Sequence, residues 1–152
     1  GDLELDAEHF FTGARKTALG LGDVLVEIIV PPQPGHSGTS YQRFARRRGP
    51  ALAVASVAAR VTLDEGRITG ARIALGAVSP TPVLAARAAA LLEGEQPSDA
   101  LFERAGALCA EDALPISDVR GSASYRTELV RVLARRALHE AIARAAASGG
   151  GQ

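Results

Sequence analysis

The residues of this chain whose types could support chemistry are few and widely separated. Cys109 falls in a segment with helical periodicity, where a lone cysteine is more often a small buried hydrophobe than a nucleophile. Ser79 and Ser117 have no general base nearby in sequence that could activate them. The three histidines share no metal-ligand spacing; they are His9, His36 and His139. The sequence therefore predicts neither a catalytic residue nor a metal site.

Positive charge is concentrated in one cluster of arginines after Tyr41, which consists of Arg43, Arg46, Arg47 and Arg48. Such a cluster is typical of a charged edge strand that discourages sheet pairing. It could also bind phosphate, the edge of a flavin ring or nucleic acid. The chain has 17 basic and 17 acidic residues and only 4% aromatic residues, so it lacks the overall field and the stacking platforms that nucleic-acid binding uses. The sequence predicts no nucleic-acid partner.

The elements that must position these residues start with a predicted β-hairpin. Apolar and polar residues alternate from Ala53 to Leu63 and again from Ala71 to Ala77, which places one apolar set on one face of each strand. In the turn between them, residues 64–67, Gly66 supplies the positive φ that a tight hairpin needs. Residues 40–47 are predicted to form a third strand that leads into the hairpin.

The first 40 residues contain fewer signals. The paired aromatics Phe10 and Phe11 have little apolar sequence around them, so we expect them to pack on a neighbouring unit. The β-branched run from Val24 to Val30 predicts a strand, which the prolines at positions 31 and 32 end. Residues 31–40 are predicted to be a loop because they are rich in proline, glycine and serine.

The second half of the chain predicts three helices. Thr81 is the predicted N-cap of the first, which ends near Glu93, just before Gly94. Ser98 is the predicted N-cap of the second, which ends at Leu114. The third runs over about residues 124–147, and its apolar stripe consists of Leu129, Val130, Leu133, Ala134, Ala137, Leu138, Ala141 and Ile142. Asp118 and Arg120, beside Gly121, predict a turn closed by a local ion pair.

Strands followed by helices predict an α+β domain, with an antiparallel three- to four-stranded sheet covered on one face by three helices. A single cysteine excludes an internal disulfide and fits a reducing compartment, so we expect a cytoplasmic protein. No apolar run approaches the roughly 20 residues of a membrane span. The chain starts with Gly1 and contains no methionine, which predicts a piece of a longer protein.

Five segments, in order along nearly the whole chain, resemble the FAD-binding subunit of the molybdenum hydroxylases, the family of carbon monoxide dehydrogenase and xanthine dehydrogenase. They are residues 10–17 (Phe-Phe-Thr-Gly-Ala-Arg-Lys-Thr), the run ending at Pro31, residues 41–48 with the Ala-rich strand after them, residues 76–83 (Gly-Ala-Val-Ser-Pro-Thr-Pro-Val) and residues 115–126 (Pro-Ile-Ser-Asp-Val-Arg-Gly-Ser-Ala-Ser-Tyr-Arg). The resemblance implies that the chain is the C-terminal part of such a subunit.

The resemblance further implies domain boundaries within this chain and a function for the subunit. Residues 1–35 would be the end of the FAD-binding domain, residues 36–148 the α+β domain that follows it, and residues 149–152 a flexible tail. The Gly-rich loops that hold the FAD pyrophosphate in the family are absent, so the fragment is expected to lack the FAD of the full-length subunit. The implied function is to pass electrons from iron–sulfur clusters through FAD to an acceptor, with an iron–sulfur subunit and a molybdopterin subunit as partners.

Two flavin-contacting positions are implied as well, and a third residue is a candidate. Leu25 matches a strand leucine that packs on the flavin in relatives, and Arg43 matches a lysine beside the ring; arginine keeps the charge but changes the geometry of its donors. Tyr41 is a candidate for packing on the ring. Residues 49–51 replace an Asp that many relatives carry, so control of the acceptor by this loop is not carried over. An alternative of another class stays open: a non-catalytic binding or assembly domain that docks a partner through its Arg-rich strand.

Overall fold

A computed structural model describes residues 3–47 and 49–148. The tail predicted at 149–152, Gly1 and Arg48 lie outside the described residues. The elements, in chain order, are α1 (Ala7–Phe10), β1 (Phe11–Gly13), β2 (Lys16–Thr17), β3 (Ser37–Phe44), β4 (Ala55–Asp64), β5 (Arg67–Gly76), β6 (Val83–Leu84), α2 (Ala86–Leu92), α3 (Asp99–Asp112) and α4 (Ala123–Ser148).

The central element is an antiparallel sheet in the spatial order β3-β4-β5-β6. Its β4–β5 hairpin confirms the prediction, and Glu65 and Gly66 in the turn have φ angles of 47° and 77°. Two consecutive positive φ angles match the turn to the right-handed twist of the strands. The third predicted strand is also confirmed, although β3 spans Ser37–Phe44, so it begins within the predicted loop of residues 31–40 and ends before the predicted residue 47.

The helices cover one face of this sheet, which confirms the α+β fold class. Helix α4 packs across β3 and β4, α2 packs on β5, and α3 lies against both helices. The inner faces of β4 and β5 meet the helices through fully buried side chains such as Val57 and Leu75. The predicted stripe of α4 is confirmed, with its centre buried at Val130, Leu133, Ala134, Ala137, Leu138 and Ala141.

Helix α4 crosses β3 at very short range. A Cβ atom built on Gly38 would lie 2.0 Å from the carbonyl oxygen of Ala141 and 2.4 Å from the backbone nitrogen of Ala145. Only glycine therefore permits this approach. Farther out, α4 reaches the edge of β3 that no described strand pairs with: Arg144 Nη1 donates a hydrogen bond to the carbonyl oxygen of Thr39 at 2.6 Å. Ser148 Oγ, 2.8 Å from the carbonyl oxygen of Ala145, also lies 3.3 Å from that of Ser37.

The strand predicted over Val24–Val30 is wrong. This run has no regular secondary structure, and its side chains are exposed. β-Branched residues favour a strand because they pack on neighbouring strands, and no strand pairs with this run within the described residues. Of the paired aromatics, Phe10 is the last residue of α1 and Phe11 the first of β1, and their rings meet edge to face at 5.1 Å; their packing on a neighbouring unit stays a prediction.

The first predicted helix starts later than Thr81 indicated. Residues 83–84 form β6 on the edge of β5, and the N–H of Ala85 donates to the carbonyl oxygen of Ile73 at 2.9 Å. These hydrogen bonds draw the proline-rich segment into the sheet, so α2 begins only at Ala86. The predicted stop is confirmed, since Gly94 has a φ of 80° just beyond the helix.

Two details of the remaining predictions also change. The core side chain Ile68 was missed, because a bulge at Thr62–Leu63 shifts the register of the two strands. Ala77 was wrongly placed on the core face, because β5 ends at Gly76. Ala77 is exposed and has a φ of 63°. Helix α3 confirms its predicted cap, since Ser98 Oγ accepts a hydrogen bond from the N–H of Leu101 at 3.3 Å, but it ends before Leu114.

Candidate functional site

The sheet face opposite the helices carries two of the three predicted site residues. Successive side chains of a strand point to opposite faces, and the even-numbered residues of β3 face α4; Ser40 Oγ, for example, donates to Glu140 Oε2 at 2.7 Å. Tyr41 and Arg43 therefore point to the other side. Tyr41 is 62% exposed, and Arg43 is exposed as well.

Small residues lie beside these two side chains. The strand register defines two rows across the sheet: the first is Tyr41, Ala58, Ala74 and Leu84, and the second is Arg43, Ser56 and Gly76. We call the small residues of these rows (Ser56, Ala58, Ala74 and Gly76) the shelf. Ala58, Ala74 and Gly76 are partly exposed and Ser56 is buried, while Tyr41 and Arg43 border this strip of short side chains at one end and Leu84 at the other.

The guanidinium of Arg43 is held in place by the loop that follows β3. Its Nη1 donates to the carbonyl oxygen of Ala51 at 3.2 Å. The loop is closed at its base, where the N–H of Val54 donates to the carbonyl oxygen of Phe44 at 2.8 Å. A guanidinium has five N–H donors, so most of those on Arg43 stay available to an acceptor at the edge of the shelf.

Leu25 lies outside the described strands and helices. It sits in residues 23–34, which have no regular secondary structure, and its side chain is 51% exposed. No hydrogen bond among the described residues joins residues 23–34 to β3. The structure thus places Tyr41 and Arg43 on one face of the sheet, whereas Leu25 belongs to none of the described strands. The neighbours of Leu25 form a mostly apolar exposed run of Val24, Val26, Ile28, Ile29 and Val30.

A buried arginine was missed by sequence reasoning. Arg126 is only 3% exposed; its Nη1 donates to the carbonyl oxygens of Val54 at 3.0 Å and Ala77 at 3.2 Å, and its Nη2 pairs with Asp118. It therefore ties the start of β4, the end of β5 and the loop before α4 to one another. The sequence contained a usable signal for this burial, because Arg126 lies one helical turn before the buried Val130 and therefore on the same face of the helix.

Asp118 is the hub of that loop. Its carboxylate accepts from the backbone N–H of Arg120 at 2.8 Å, and Arg120 Nη2 lies 2.6 Å from its other oxygen. Hydrogen bonds from Arg120, and then from Arg126, hold the pKa of Asp118 well below its usual range. The predicted turn is confirmed by this ion pair and by the bridge between Asp118 and Gly121.

The other polar candidates serve local structure. His139 Nε2 lies 3.3 Å from Asp99, and its ring meets Phe102 edge to face. Cys109 is buried, and burial raises the pKa of its thiol to about 12. Ser117 Oγ accepts a hydrogen bond from the first residue of α4. Side chains of the metal-ligating types do not gather in groups of three or more in the described part of the chain.

Two of the segments singled out in the sequence meet in a groove of about 380 Å³. One wall is the β1–β2 hairpin of residues 11–17, and the other is the loop of residues 77–82. Ser79 Oγ is buried beside this groove and has no hydrogen-bond partner among the described residues. Within the same residues, no helix has the length and apolar character that crossing a bilayer needs.

Comparisons with known proteins agree with this architecture. A family model described as CO dehydrogenase flavoprotein C-terminal domain matches residues 40–141. The carbon monoxide dehydrogenase medium chain of Afipia carboxidovorans is 35% identical over 139 residues, which cover 91% of this chain and 48% of that protein. The putative xanthine dehydrogenase FAD-binding subunit of Escherichia coli is 28% identical over 137 residues, which cover 90% of this chain and 47% of that protein.

The fold of this chain is also similar to that of a solved structure. A chain of the carbon monoxide dehydrogenase from Hydrogenophaga pseudoflava that lacks the Mo-pyranopterin moiety superimposes with a TM-score of 0.85 at 33% identity, over 90% of this chain and 47% of that chain. The chain thus spans about half the length of the curated relatives it matches.

Proposed function

Because this chain belongs to the CO dehydrogenase flavoprotein C-terminal domain family, we propose that it is part of the FAD-carrying subunit of a molybdenum hydroxylase. Its proposed task is to form one wall of the flavin site, in a subunit that passes electrons from iron–sulfur clusters through FAD to an acceptor. The observation that carries this proposal is the shelf, which is bordered by Tyr41 and Arg43 on the open face of the sheet.

The residues present on this face fit a flavin ring. The small side chains of the shelf allow an isoalloxazine to approach the sheet, and Tyr41 provides an aromatic surface at its border. Bound FAD would supply the electron-transfer chemistry. The positive charge of Arg43 stabilises negative charge on the ring and so favours the reduced, anionic form. No acid or base is needed at such a site, since the subunit holds and tunes a cofactor.

The exposed apolar run around Leu25 belongs to the same proposal. Six neighbouring apolar side chains in contact with water are costly, and burying them would be favourable by roughly 25 cal/mol for each Å². We assign residues 1–35 to the end of the FAD-binding domain, where this run would pack against the rest of that domain and bring Leu25 to the flavin. The fragment alone is then expected not to retain FAD.

The proposal also includes the partners and the compartment. An electron carrier of this family would work beside an iron–sulfur subunit, which delivers electrons, and a molybdopterin subunit, which performs the hydroxylation. The buried free thiol of Cys109 fits a cytoplasmic enzyme, where cysteines stay reduced.

The test uses the full-length subunit and the reduction potential of its flavin. Arg43→Glu is expected to lower that potential, on the order of tens of millivolts, because a negative charge replaces a positive one beside the ring. The control is Arg104→Glu, which makes the same change at an exposed position of α3 and should leave the potential unchanged. Equal potentials in the two variants would refute the assignment of Arg43. A purified fragment with the yellow absorption of a bound flavin would refute the expectation for the fragment.

A further inference from the structure

The buried Arg126 joins the two central strands at the end of the sheet where Arg43 lies. Its Nη1 donates to the carbonyl oxygen of Val54, one residue before β4, and to that of Ala77, one residue after β5. A guanidinium presents its donors in a rigid planar fork. Because both acceptors bind the same fork, Arg126 fixes the distance between the start of β4 and the end of β5.

The hydrogen bond to Val54 leads on to Arg43. The N–H of Val54 donates to the carbonyl oxygen of Phe44 at 2.8 Å, and Phe44 directly follows Arg43 in β3. The guanidinium of Arg43 donates to the carbonyl oxygen of Ala51, three residues before Val54. A shift of Val54 therefore displaces both the backbone next to Arg43 and the segment that carries its acceptor.

The hydrogen bond to Ala77 leads to the other end of the same row of the shelf. Ala77 directly follows Gly76 and has a φ of 63°. A residue other than glycine is strained in this left-handed region and stays there only where its surroundings hold it. The bond from Arg126, at 3.2 Å, is such a contact. Arg126 thus holds the neighbours of both Arg43 and Gly76, which are the two ends of the second row.

The charge of Arg126 is balanced where it lies. Its Nη2 pairs with the carboxylate of Asp118, so the pair is neutral as a whole and adds little field at a distance. Any effect of Arg126 on a flavin would therefore come from position. Its Nε is buried and has no acceptor among the described residues. Such an unpaired donor costs stability, and costs of this kind are expected at functional sites.

We propose that Arg126 is a positioning residue of the flavin site, which holds the guanidinium of Arg43 and the Gly76 end of the shelf in a fixed relation and thereby sets the reduction potential of the flavin. This inference rests on the proposed function. A residue that acts through Arg43 has no effect once the charge of Arg43 is removed. A residue that serves only the stability of the fold leaves the potential unchanged when it is replaced.

The experiment measures the reduction potential of FAD in the full-length subunit. Arg126→Met is expected to lower it by at least about half of the fall that Arg43→Gln causes, because a displaced guanidinium stabilises the anionic ring less. Arg126→Lys keeps the charge but not the planar fork, so it should lower the potential as well. The control, Arg120→Met, removes the other arginine that pairs with Asp118 and should leave the potential unchanged.

A double variant tests whether Arg126 acts through Arg43. Adding Arg126→Met to Arg43→Gln should cause little further fall, since two residues that act through one contact are not additive. Equal falls in the wild-type and the Arg43→Gln backgrounds would overturn the positioning role.

The remaining outcomes separate the alternatives. Wild-type potentials in Arg126→Met and Arg126→Lys would overturn the positioning role, even where urea unfolding shows that both variants are less stable. A fall in Arg126→Met with a wild-type potential in Arg126→Lys would show an effect of charge and overturn it too. If Arg126→Met does not retain FAD, Arg126→Lys decides the question. A wild-type potential in Arg43→Gln would instead refute the place of Arg43 in the proposed function, and the positioning role with it.

Discussion

Replacing Gly38 by alanine is expected to separate β3 from α4. The new Cβ atom would lie 2.0 Å from the carbonyl oxygen of Ala141, whereas ordinary van der Waals contact begins at 3.4 Å. The two elements must therefore move apart by about 1.4 Å, or the strand must deform. The obstructing atoms are backbone atoms of a helix, so no side chain can rotate away to relieve the clash.

The size of the effect follows from this geometry. Overpacking a well-packed contact costs about 1–3 kcal/mol, and a clash against backbone places Gly38→Ala at the upper end of that range. For a chain of this size, about 3 kcal/mol corresponds to a decrease in Tm of roughly 6–12 °C. The matched control is Gly70→Ala in β5, where the nearest atom to the new Cβ would be 3.9 Å away. Gly70→Ala is expected to stabilise the chain by less than about 1 kcal/mol, because alanine restricts the unfolded chain.

The assay is urea unfolding of the three proteins, followed by circular dichroism at the helix band. The wild type and Gly70→Ala should unfold at similar urea concentrations, while the midpoint for Gly38→Ala should be clearly lower. If Gly38→Ala unfolds within about 0.5 kcal/mol of Gly70→Ala, the close crossing of β3 by α4 is refuted, since measured differences of that size are typical of unremarkable surface changes.

Three further predictions concern buried and ionised groups. Arg126→Met should destabilise the chain by about 2–4 kcal/mol in urea unfolding, because two backbone carbonyls lose their donor. The control, Arg120→Met, changes the more exposed arginine that pairs with the same Asp118 and should cost less than about 1 kcal/mol. Equal losses in the two variants would contradict the role of Arg126. A hydrogen bond from Ser40 lowers the pKa of Glu140 below its ordinary value of 4.5, so the stability that Glu140 contributes is present above that value and is lost as pH falls through the lower folded pKa. Glu140→Gln should therefore lose less stability than the wild type between about pH 5 and pH 3 in urea midpoints, and parallel curves would refute this. Cys109, whose thiol pKa burial raises to about 12, should react with a thiol reagent at pH 8 only after unfolding in guanidinium; rapid reaction of the native chain would contradict its burial.

The sequence predicted the parts of the fold that local pattern determines. Alternation and a single glycine in the turn were sufficient for the β4–β5 hairpin, and the 3.6-residue period was sufficient for α4. The N-cap at Ser98 and the stop at Gly94 also depend on neighbours within a few residues. These features form for reasons that are contained in short segments of chain.

The errors concern features that depend on distant partners. The run at Val24–Val30 has the composition of a strand but no strand beside it, while β6 forms from a proline-rich segment because β5 offers it an edge. No structural role was predicted for Arg126 from the sequence, because its burial depends on carbonyls that lie 49 and 72 residues away in sequence.

The candidate site also has one part that the sequence predicts and another that depends on distant partners. Residues Tyr41 and Arg43 share a face because they are two apart in a strand, which the sequence alone could indicate. The shelf beside them requires the register of three strand pairs, which the sequence did not provide. Leu25 was assigned by resemblance, and its position beside a flavin stays a prediction.

The contacts of the end of α4 with the edge of β3 have a consequence for solubility. An exposed strand edge is a template on which a foreign strand can add, and this is a common start of aggregation. Arg144 occupies the carbonyl of Thr39 and Ser148 lies against that of Ser37, so roughly the first half of the edge is closed to a foreign strand. A shortened chain that stops before Arg144 would keep most of its core yet reopen that template. The last turn of the helix thus protects the protein from its own copies.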